Sequence, residues 1–447
     1  MNTRVRETAR RISRGFTLVE LMVSLVAGLI VTIAVVGLAR TATTSFYEEA
    51  RLSTTEAAVR SAAERLRQDL TRVSYMSTGN IKLAGGDTVP AGLKAAQIVA
   101  TASPSRYGAL TNDLQGIRIL VGGSLATAQG PNNLSTKNAL NPDAILLTGN
   151  FTTDDSYPGQ MVNFNTGVEL TVADNPAVAR LIAGPDPDKA VRNAFTPGSQ
   201  TGTLPPFLAR VVDQRGCQYF VKLASAVGTA TKVSLSFAPA ADGYPPIPER
   251  GTAAGSAKAP CGFPLDSKEE VRVNPVQTVR WSIGPTTTPL APDVAVGETG
   301  NKFDLYREIL DASGASVPSP GGPQVVAEYA IDLKFGISVD SPAAALPPPA
   351  NQLTFDMDTP ADAVPIADWT QAASTTTAGN PAPQRVRSVR FRVATRSSLP
   401  DREAPLSIVP GYISRYCTDS AAVCKKFARA RTIMSEVQLI NQAGMTY

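Results

Sequence analysis

The first pattern in the chain is a long apolar run near its N-terminus. Residues 16–39 read FTLVELMVSLVAGLIVTIAVVGLA and contain one charged residue, Glu20, before Arg40 follows. At 1.5 Å per residue this run makes about 36 Å of helix, which crosses a hydrocarbon core of about 30 Å. The pattern therefore predicts a single-pass transmembrane helix. A cleaved secretory signal is disfavoured, because the run is too long and no A-x-A cleavage site lies nearby.

Apolar residues continue beyond this run at helical spacing. Six positions lie three, four or seven residues apart and define one face of an amphipathic helix over residues 40–77. They are Leu52, Val59, Ala63, Leu66, Leu70 and Val73. Charged residues, Asp69 among them, are predicted to occupy the other faces. This face is expected to pack on a sheet, the alternative being an exposed linker, and the helix should reach about Tyr75 and end between Ser77 and Asn80.

Downstream, the period changes to short β-rich runs separated by Pro, Gly and Asn clusters. The fold class is therefore α+β: a long N-terminal helix packed on an antiparallel β-sheet head formed by residues 78–447. The predicted strands are 116–121, 143–148, 167–172, 217–223, 232–237, 278–283, 302–307, 325–335 and 386–395. Low-complexity segments between them are expected to be exposed loops that cannot build a core: 238–264, 284–296, 311–323, 341–349 and 372–383.

The composition narrows the possible chemistry. The chain has 447 residues and no histidine, which excludes Ser-His-Asp and Cys-His catalysis and every His-ligated metal site. No nucleophile motif of the G-x-S-x-G kind is present either. We therefore expect a protein that is not an enzyme, although a membrane-anchored enzyme of another kind remains an open alternative.

The distribution of charge points to topology rather than to nucleic-acid binding. The chain carries a net charge of +4, and residues 1–15 account for all of it, with five Arg against Glu7. The rest of the chain is neutral, so no basic face is available for nucleic acid. A basic segment directly before an apolar helix is typical of the cytoplasmic side of a membrane anchor.

Glu20 is the one residue that a plain membrane anchor does not explain. An ionised carboxylate within lipid is costly and usually has a partner. If the chain is cut after Gly15, the new α-amino group of Phe16 carries a positive charge. This amine can pair with Glu20 of its own helix or of a neighbouring copy, where the pair would set the register between packed helices.

The run Gly-Phe-Thr-Leu-Val-Glu-Leu-Met-Val after a basic leader resembles the class III signal of type IV pilins and of the pseudopilins of type II secretion. The resemblance implies that a prepilin peptidase cuts between Gly15 and Phe16 and methylates the amino group of Phe16, so that residues 1–15 are a cleaved leader. It also implies that Glu20 helps the subunit to enter a growing fibre.

The order of later segments resembles the W-type minor pilins and, more weakly, the J-type minor pseudopilins. These segments are PDAILLT, FDLYREI, VVAEYAIDLKFGI, VRSVRFRVATRS and ARTIMSEVQLINQAG. The resemblance implies a pilin-like fold with long Pro/Gly-rich insertions, anchored in the inner membrane with a periplasmic head and later incorporated into a pilus at the cell surface. Implied partners are the prepilin peptidase, other minor pilins, the major pilin and a large tip adhesin.

Four cysteines lie beyond the membrane segment, in what should be an oxidising compartment. They are Cys217, Cys261, Cys417 and Cys424, and they allow three pairings. Proximity in sequence favours Cys417–Cys424 and Cys217–Cys261. A zinc site is disfavoured because no C-x-x-C spacing is present.

Two acidic clusters are candidate calcium ligands, Asp154-Asp155 and Asp356-x-Asp358. Neither follows an ordered calcium-loop motif, so solvated turns are expected, with no metal or cofactor. The sequence thus favours a minor pilin that helps to initiate pilus assembly and is carried at the pilus tip. Two alternatives stay open: a minor pseudopilin of a type II secretion system, and a head that is itself an adhesin or ligand-binding module.

Overall fold

A computed structural model describes most of the chain beyond the N-terminal segment. The chain has two compact units, Met1–Thr54 and Thr55–Tyr447, and the second is called the β-rich unit below. The described residues are 17–76, 116–123, 138–163, 166–171, 175–198, 207–214, 218–238, 263, 268–286, 302–312, 314–317, 322–340, 352–370, 385–400, 412–418 and 424–443.

One long helix, α1 (Leu18–Thr71), contains the apolar run and the amphipathic stretch. Within the β-rich unit its inner face is the predicted one, because Val59, Ala63, Leu66 and Leu70 are all buried. The predicted position of Asp69 on an outer face is wrong, since this residue is only 7% exposed.

The helix also ends earlier than the predicted 77–80, at Thr71. Its continuation is drawn into the sheet, where Val73 forms a β-bridge with Gly149 and the Ser74 amide donates to the Thr148 carbonyl at 2.9 Å. Ser74 and Met76 adopt left-handed backbone conformations, with φ of 60° and 47°. Val73, the last apolar position of the predicted helix face, therefore lies in a β-bridge after the end of the helix.

The remaining elements are mostly antiparallel strands. In chain order they are β1 (Ile117–Leu120), β2 (Ala144–Gly149), β3 (Tyr157–Asn163), β4 (Gly167–Thr171), α2 (Pro176–Ile182), α3 (Pro187–Phe195), β5 (Phe207–Asp213), β6 (Gln218–Gly228), β7 (Lys232–Phe237), β8 (Glu270–Pro285), β9 (Phe303–Leu310), β10 (Gln324–Ala327), β11 (Ala330–Asp340), β12 (Gln352–Phe355), a 3₁₀ turn (Pro360–Asp362), α4 (Ala363–Trp369), β13 (Val386–Arg396), β14 (Arg415–Cys417), β15 (Phe427–Gln438) and α5 (Ile440–Ala443).

The long strand β8 belongs to two structures at once. Its first half pairs with β3 on one side and β5 on the other, at Val273↔Tyr157 and Val273↔Val211. Through the order β8-β3-β4-β7-β6-β5 and back to β8, these six strands close into a barrel. The second half of β8 pairs with β2 and β9 instead, at Trp281↔Ile145 and Trp281↔Arg307. The β1-β2-β8-β9-β10 part is therefore an open sheet that continues from the barrel.

A separate five-stranded antiparallel sheet has the order β12-β11-β13-β15-β14. Its inner residues, such as Phe335 and Phe391, join one core with α1 and with Trp281 of the open sheet. The barrel has its own core. Phe195 of α3 lies in this core and packs against Tyr157. Burial on this scale supplies the main stabilisation of the β-rich unit.

The antiparallel α+β class is the predicted one, but a single sheet was expected and the β-rich unit contains a barrel and two sheets. The predicted strand 325–335 is divided by a turn at Tyr329, which has a φ of 55°. Most of the predicted exposed loops lie outside the described residues. Buried residues within these segments contradict that expectation, for example Phe263 and Val317 at 0% and 2% exposure.

Candidate functional site

The apolar half of α1 begins at a residue pair that caps the helix. The backbone amide and the hydroxyl of Thr17 both donate to Glu20 Oε2 at 3.0 Å, and the Glu20 amide donates to Thr17 Oγ1 at 3.3 Å. This reciprocal arrangement is a capping box, which satisfies amides that the first helical turn leaves without partners. The T-x-x-E pattern in the sequence is a local signal for this capping box. Glu20 thus has a local structural role as well as its charge.

The side chains that follow Glu20 form a continuous apolar surface. The large apolar residues from Leu18 to Leu38 are 55% to 76% exposed, and no described part of the chain covers them. An exposed apolar surface of this extent needs lipid or a partner. Among the described residues, α1 is the one helix long and apolar enough to cross a membrane. The helix and its composition indicate membrane anchoring.

Hydroxyl groups within this segment are bonded to the helix itself. Thr32 Oγ1 donates to the Gly28 carbonyl at 2.8 Å, and Thr41 Oγ1 donates to the Gly37 carbonyl at 3.0 Å. Ser24 Oγ donates to the Leu21 carbonyl, three positions back, at 2.9 Å. In lipid such polar groups must find partners within the segment. The helix runs through Gly28 and Gly37 without a break.

Several predicted site residues lie outside the described part of the chain. These are Gly15 and Phe16 at the expected cleavage site, together with Cys217 and Cys261. The other two cysteines are bonded to each other, since Cys417 and Cys424 form a disulfide with a Cα–Cα distance of 6.0 Å. This bond closes a loop between β14 and the start of β15.

The acidic clusters that are candidate calcium ligands are paired with arginine side chains. Asp154 accepts from Arg72 at 2.6 Å, and Asp155 accepts from Arg180 at 2.6 Å. In the second cluster Asp358 lies 2.7 Å from Arg392. Across the described residues, no group of three or more acidic or cysteine side chains is placed to hold a metal ion. Ion pairing with arginine therefore accounts for these carboxylates.

A polar contact joins α1 to the open sheet, and the predicted outer position of Asp69 did not anticipate it. Asp69 Oδ2 accepts from Trp281 Nε1 at 2.8 Å and from Arg307 Nε at 2.7 Å, while Asp69 Oδ1 accepts from a terminal nitrogen of Arg307 at 3.1 Å. The arginine bonds are bidentate, a geometry that fixes orientation as well as charge. Helical spacing from Leu66 was the available signal, because residue 69 lies three positions further on the same face.

Comparison with models of protein families gives a match at the N-terminus. Residues 10–36 match the prokaryotic N-terminal methylation motif, which includes the Gly15–Phe16 bond, Glu20 and much of the apolar run. No curated protein and no solved structure matches the chain.

This motif indicates a precursor of the type IV pilin and pseudopilin kind, a structural rather than an enzymatic class. It implies processing by a prepilin peptidase. The long apolar helix followed by antiparallel β-structure fits a pilin-like α+β fold.

Proposed function

We propose that this protein is a minor pilin that helps to initiate assembly of a type IV pilus and is carried at the pilus tip. The observation that carries the proposal is the methylation motif at residues 10–36, which includes the start of a capped helix with an exposed apolar surface. In the proposed cycle, residues 1–15 are removed, residues 16–39 hold the subunit in the inner membrane, and the β-rich unit faces the periplasm.

The size of the β-rich unit supports a minor role. It contains a six-stranded barrel and a five-stranded sheet, and the major pilins of the family that the chain resembles are usually much shorter. The proposed partners are other minor pilins, the major pilin and a large tip adhesin. The proposed contact is between apolar helices, with Glu20 of one subunit paired to the amino group of Phe16 in its own chain or in a neighbour.

Cleavage is tested first, by measuring the mass and N-terminal sequence of the mature protein in strains with and without the prepilin peptidase. A product that begins at methylated Phe16 and depends on the peptidase is the expected result. An uncut Met1 in both strains would leave a plain membrane-anchored protein and end the proposal.

The role of the Glu20 charge is separated from its role in capping by two variants. Glu20→Gln keeps a side-chain oxygen for the Thr17 amide but removes the charge, so we expect normal membrane insertion and a loss of fibre incorporation of more than about tenfold. Thr17→Val removes the capping hydroxyl at a cost of about 1 kcal/mol and should reduce incorporation much less. Immunoblots of sheared fibres against membranes give both values. Equal incorporation by wild type and Glu20→Gln would contradict the charge-pair mechanism.

Deletion of the gene distinguishes a minor pilin from a minor pseudopilin, because different processes are expected to fail. Loss of surface pili with normal protein secretion is expected for a minor pilin. Loss of secretion with normal pili would assign the chain to a secretion system instead.

A further inference from the structure

A cavity of about 260 Å³ lies against the open sheet, where β1, β2 and β8 meet β5 and the turn after β9. It lies on the face of the sheet opposite the one that carries Ile145 and Trp281 into the main core. The volume is just below the usual range of small-molecule sites, so a small ligand would fit. One end of the cavity is cationic and the other end is apolar.

Two arginines on either side of Leu146 form the cationic end. Leu146 is the cross-strand partner of Arg118 on β1 and of Arg280 on β8. Arg280 has a counter-charge, because its Nε donates to Glu308 Oε1 at 2.6 Å. Among the described residues the side chain of Arg118 has neither a hydrogen bond nor an ion pair. Its Nε is buried, but the residue as a whole is partly exposed and lines the cavity. A ligand can therefore reach the terminal nitrogens of its guanidinium group.

The charge of Arg118 is not offset by the carboxylate that also lines the cavity. Asp311 follows β9, which is three strands away from β1 in the sheet, a separation of about 14 Å. At this distance salt largely screens the attraction between the two charges. Asp311 Oδ1 also accepts from the Ala315 amide at 3.0 Å, within its own turn. A partly buried cation without a counter-charge is unfavourable, and an anion bound in the cavity would supply one.

The other end of the cavity is suited to a hydrocarbon group. Leu208 of β5 and Val276 of β8 form a small buried cluster there, and Ala312 of the turn packs against it. Between the two ends, the hydroxyls of Thr148 and Thr278 lie 3.2 Å apart and bond to each other. The middle of the cavity therefore needs no polar group from a ligand. The lining fits a molecule with one anionic group and a short apolar body.

We propose that this cavity binds a carboxylate on a short apolar chain, with the carboxylate held by the guanidinium of Arg118 and the chain directed towards Leu208 and Val276. A guanidinium presents two parallel N–H groups, which match the two oxygens of a carboxylate. Two sources carry this group: a small free acid, and a glutamate side chain of a neighbouring protein. The proposal does not depend on the function proposed above.

The test uses the full chain in detergent micelles and isothermal titration calorimetry, with the heat of titration into empty micelles subtracted. Hexanoate is the first probe, and hexanol and hexylammonium are the neutral and cationic probes of matched shape. Saturable binding of hexanoate without binding of the other two is expected. Acetyl-glutamate amide is the second anionic probe. If it also binds, a glutamate side chain of a protein is the favoured source, and if only hexanoate binds, a free acid is favoured.

Variants link the binding to Arg118. Arg118→Gln should weaken hexanoate binding by about tenfold or more, because it removes the charge that pairs with the carboxylate. Arg118→Lys keeps the charge but loses the planar fork, so its affinity should lie between those of the wild type and Arg118→Gln. Arg272→Gln is the matched control, since Arg272 is also a strand arginine, on β8, but does not line the cavity. Its affinity should equal that of the wild type.

A second pair of variants tests the cavity if Arg118→Gln fails to fold, as judged by circular dichroism. Ala312→Glu places a negative charge and extra volume at the cavity wall and should weaken hexanoate binding by about fivefold or more. Ala315→Glu is its control, because Ala315 is exposed on the same turn and does not line the cavity. Absence of saturable hexanoate binding, equal affinity of hexanol or hexylammonium, or unchanged affinity in a folded Arg118→Gln or Ala312→Glu variant would each overturn the proposal.

Discussion

Asp69 is a buried carboxylate in the last turn of α1, where the helix dipole disfavours a negative charge. Trp281 and Arg307 compensate for this position with three hydrogen bonds from β8 and β9. Because both partners lie more than 200 positions further along the chain, the bond fixes how the helix sits on the open sheet.

Removal of the Asp69 carboxylate should be strongly destabilising. We expect Asp69→Ala to lower the free energy of unfolding by about 3–5 kcal/mol, since Arg307 is left without its counter-charge in a buried site. Glu64→Ala on the exposed face of the same helix is the control and should change it by less than about 0.5 kcal/mol. Chemical denaturation followed by circular dichroism measures both, and equal effects would contradict a structural role for the Asp69 contact.

Asp332 should make the stability of the protein depend on pH. The pKa of an aspartate in the unfolded chain is about 3.9, whereas burial raises the pKa of Asp332 to about 6 in the folded state. Between these values the folded state binds the additional proton, so its contribution to stability falls as the pH rises. The difference in unfolding free energy between wild type and Asp332→Asn should shift by on the order of 2 kcal/mol from pH 4 to pH 7. A difference that is constant with pH would refute this.

These residues differ in whether their contacts could be predicted from the sequence. The capping pair Thr17–Glu20 follows from a local T-x-x-E pattern and could have been predicted. The partner of Asp69 could not, since it depends on which distant strand packs on the helix. The environment of Asp332 likewise depends on the register of β11 against β13, in which Lys334 is opposite Arg392. No local pattern encodes that register.

At the level of elements, the end of α1 is set by a close approach between two backbones. Gly149 on β2 lies beside the Arg72 carbonyl, and a Cβ at this position would be 2.5 Å from that oxygen. The absence of a side chain at Gly149 therefore allows Val73 to bridge the sheet directly after the helix.

Adding one methyl group should reveal this contact. Gly149→Ala is expected to lower the free energy of unfolding by about 1–3 kcal/mol, since the atom it meets is backbone and cannot rotate away. Gly184→Ala is the control, because a Cβ there has no neighbour within 4 Å, and it should be neutral or stabilising by up to about 1 kcal/mol. Thermal or urea unfolding of both variants measures the change in unfolding free energy. An unchanged value for Gly149→Ala would show that the backbone around the bridge can move to accommodate a methyl group.

The helices α2 and α3 were not predicted, although each has a helix-start signal in the sequence. Asn175 Oδ1 accepts from the amides of Ala177 and Val178, and Asp186 Oδ1 accepts from the Lys189 amide. In both cases a proline follows the cap directly, which is a known signature of a helix start. These helices could have been predicted, whereas β5 and β3 could not be assigned to a barrel without knowledge of which strands pair.

For the whole molecule, the position of the barrel in the chain is as informative as its structure. Its strands occupy one continuous stretch, from Tyr157 to the first half of β8. The two ends of that stretch meet, since Gly149 at the end of β2 pairs with Gln277 in the middle of β8. Without the barrel, β2 and the second half of β8 would be adjacent strands of a hairpin.

The barrel should therefore be removable. In a chain that lacks residues 151–275 and carries Val276→Gly, Asn150 and the new glycine form an Asn-Gly turn of the kind that favours hairpins. We expect α1, β8 and β9 to keep slow hydrogen exchange, measured by mass spectrometry against the full chain, with lower stability because Phe207 no longer contributes to the main core. Fast exchange throughout α1 would show that the barrel is required for folding.

The shared strand β8 ties the barrel rigidly to the open sheet, because one continuous backbone belongs to both. The barrel nevertheless keeps a core of its own. Substitutions on the outer surface of the barrel are therefore expected to leave the packing around Trp281 and Asp69 undisturbed.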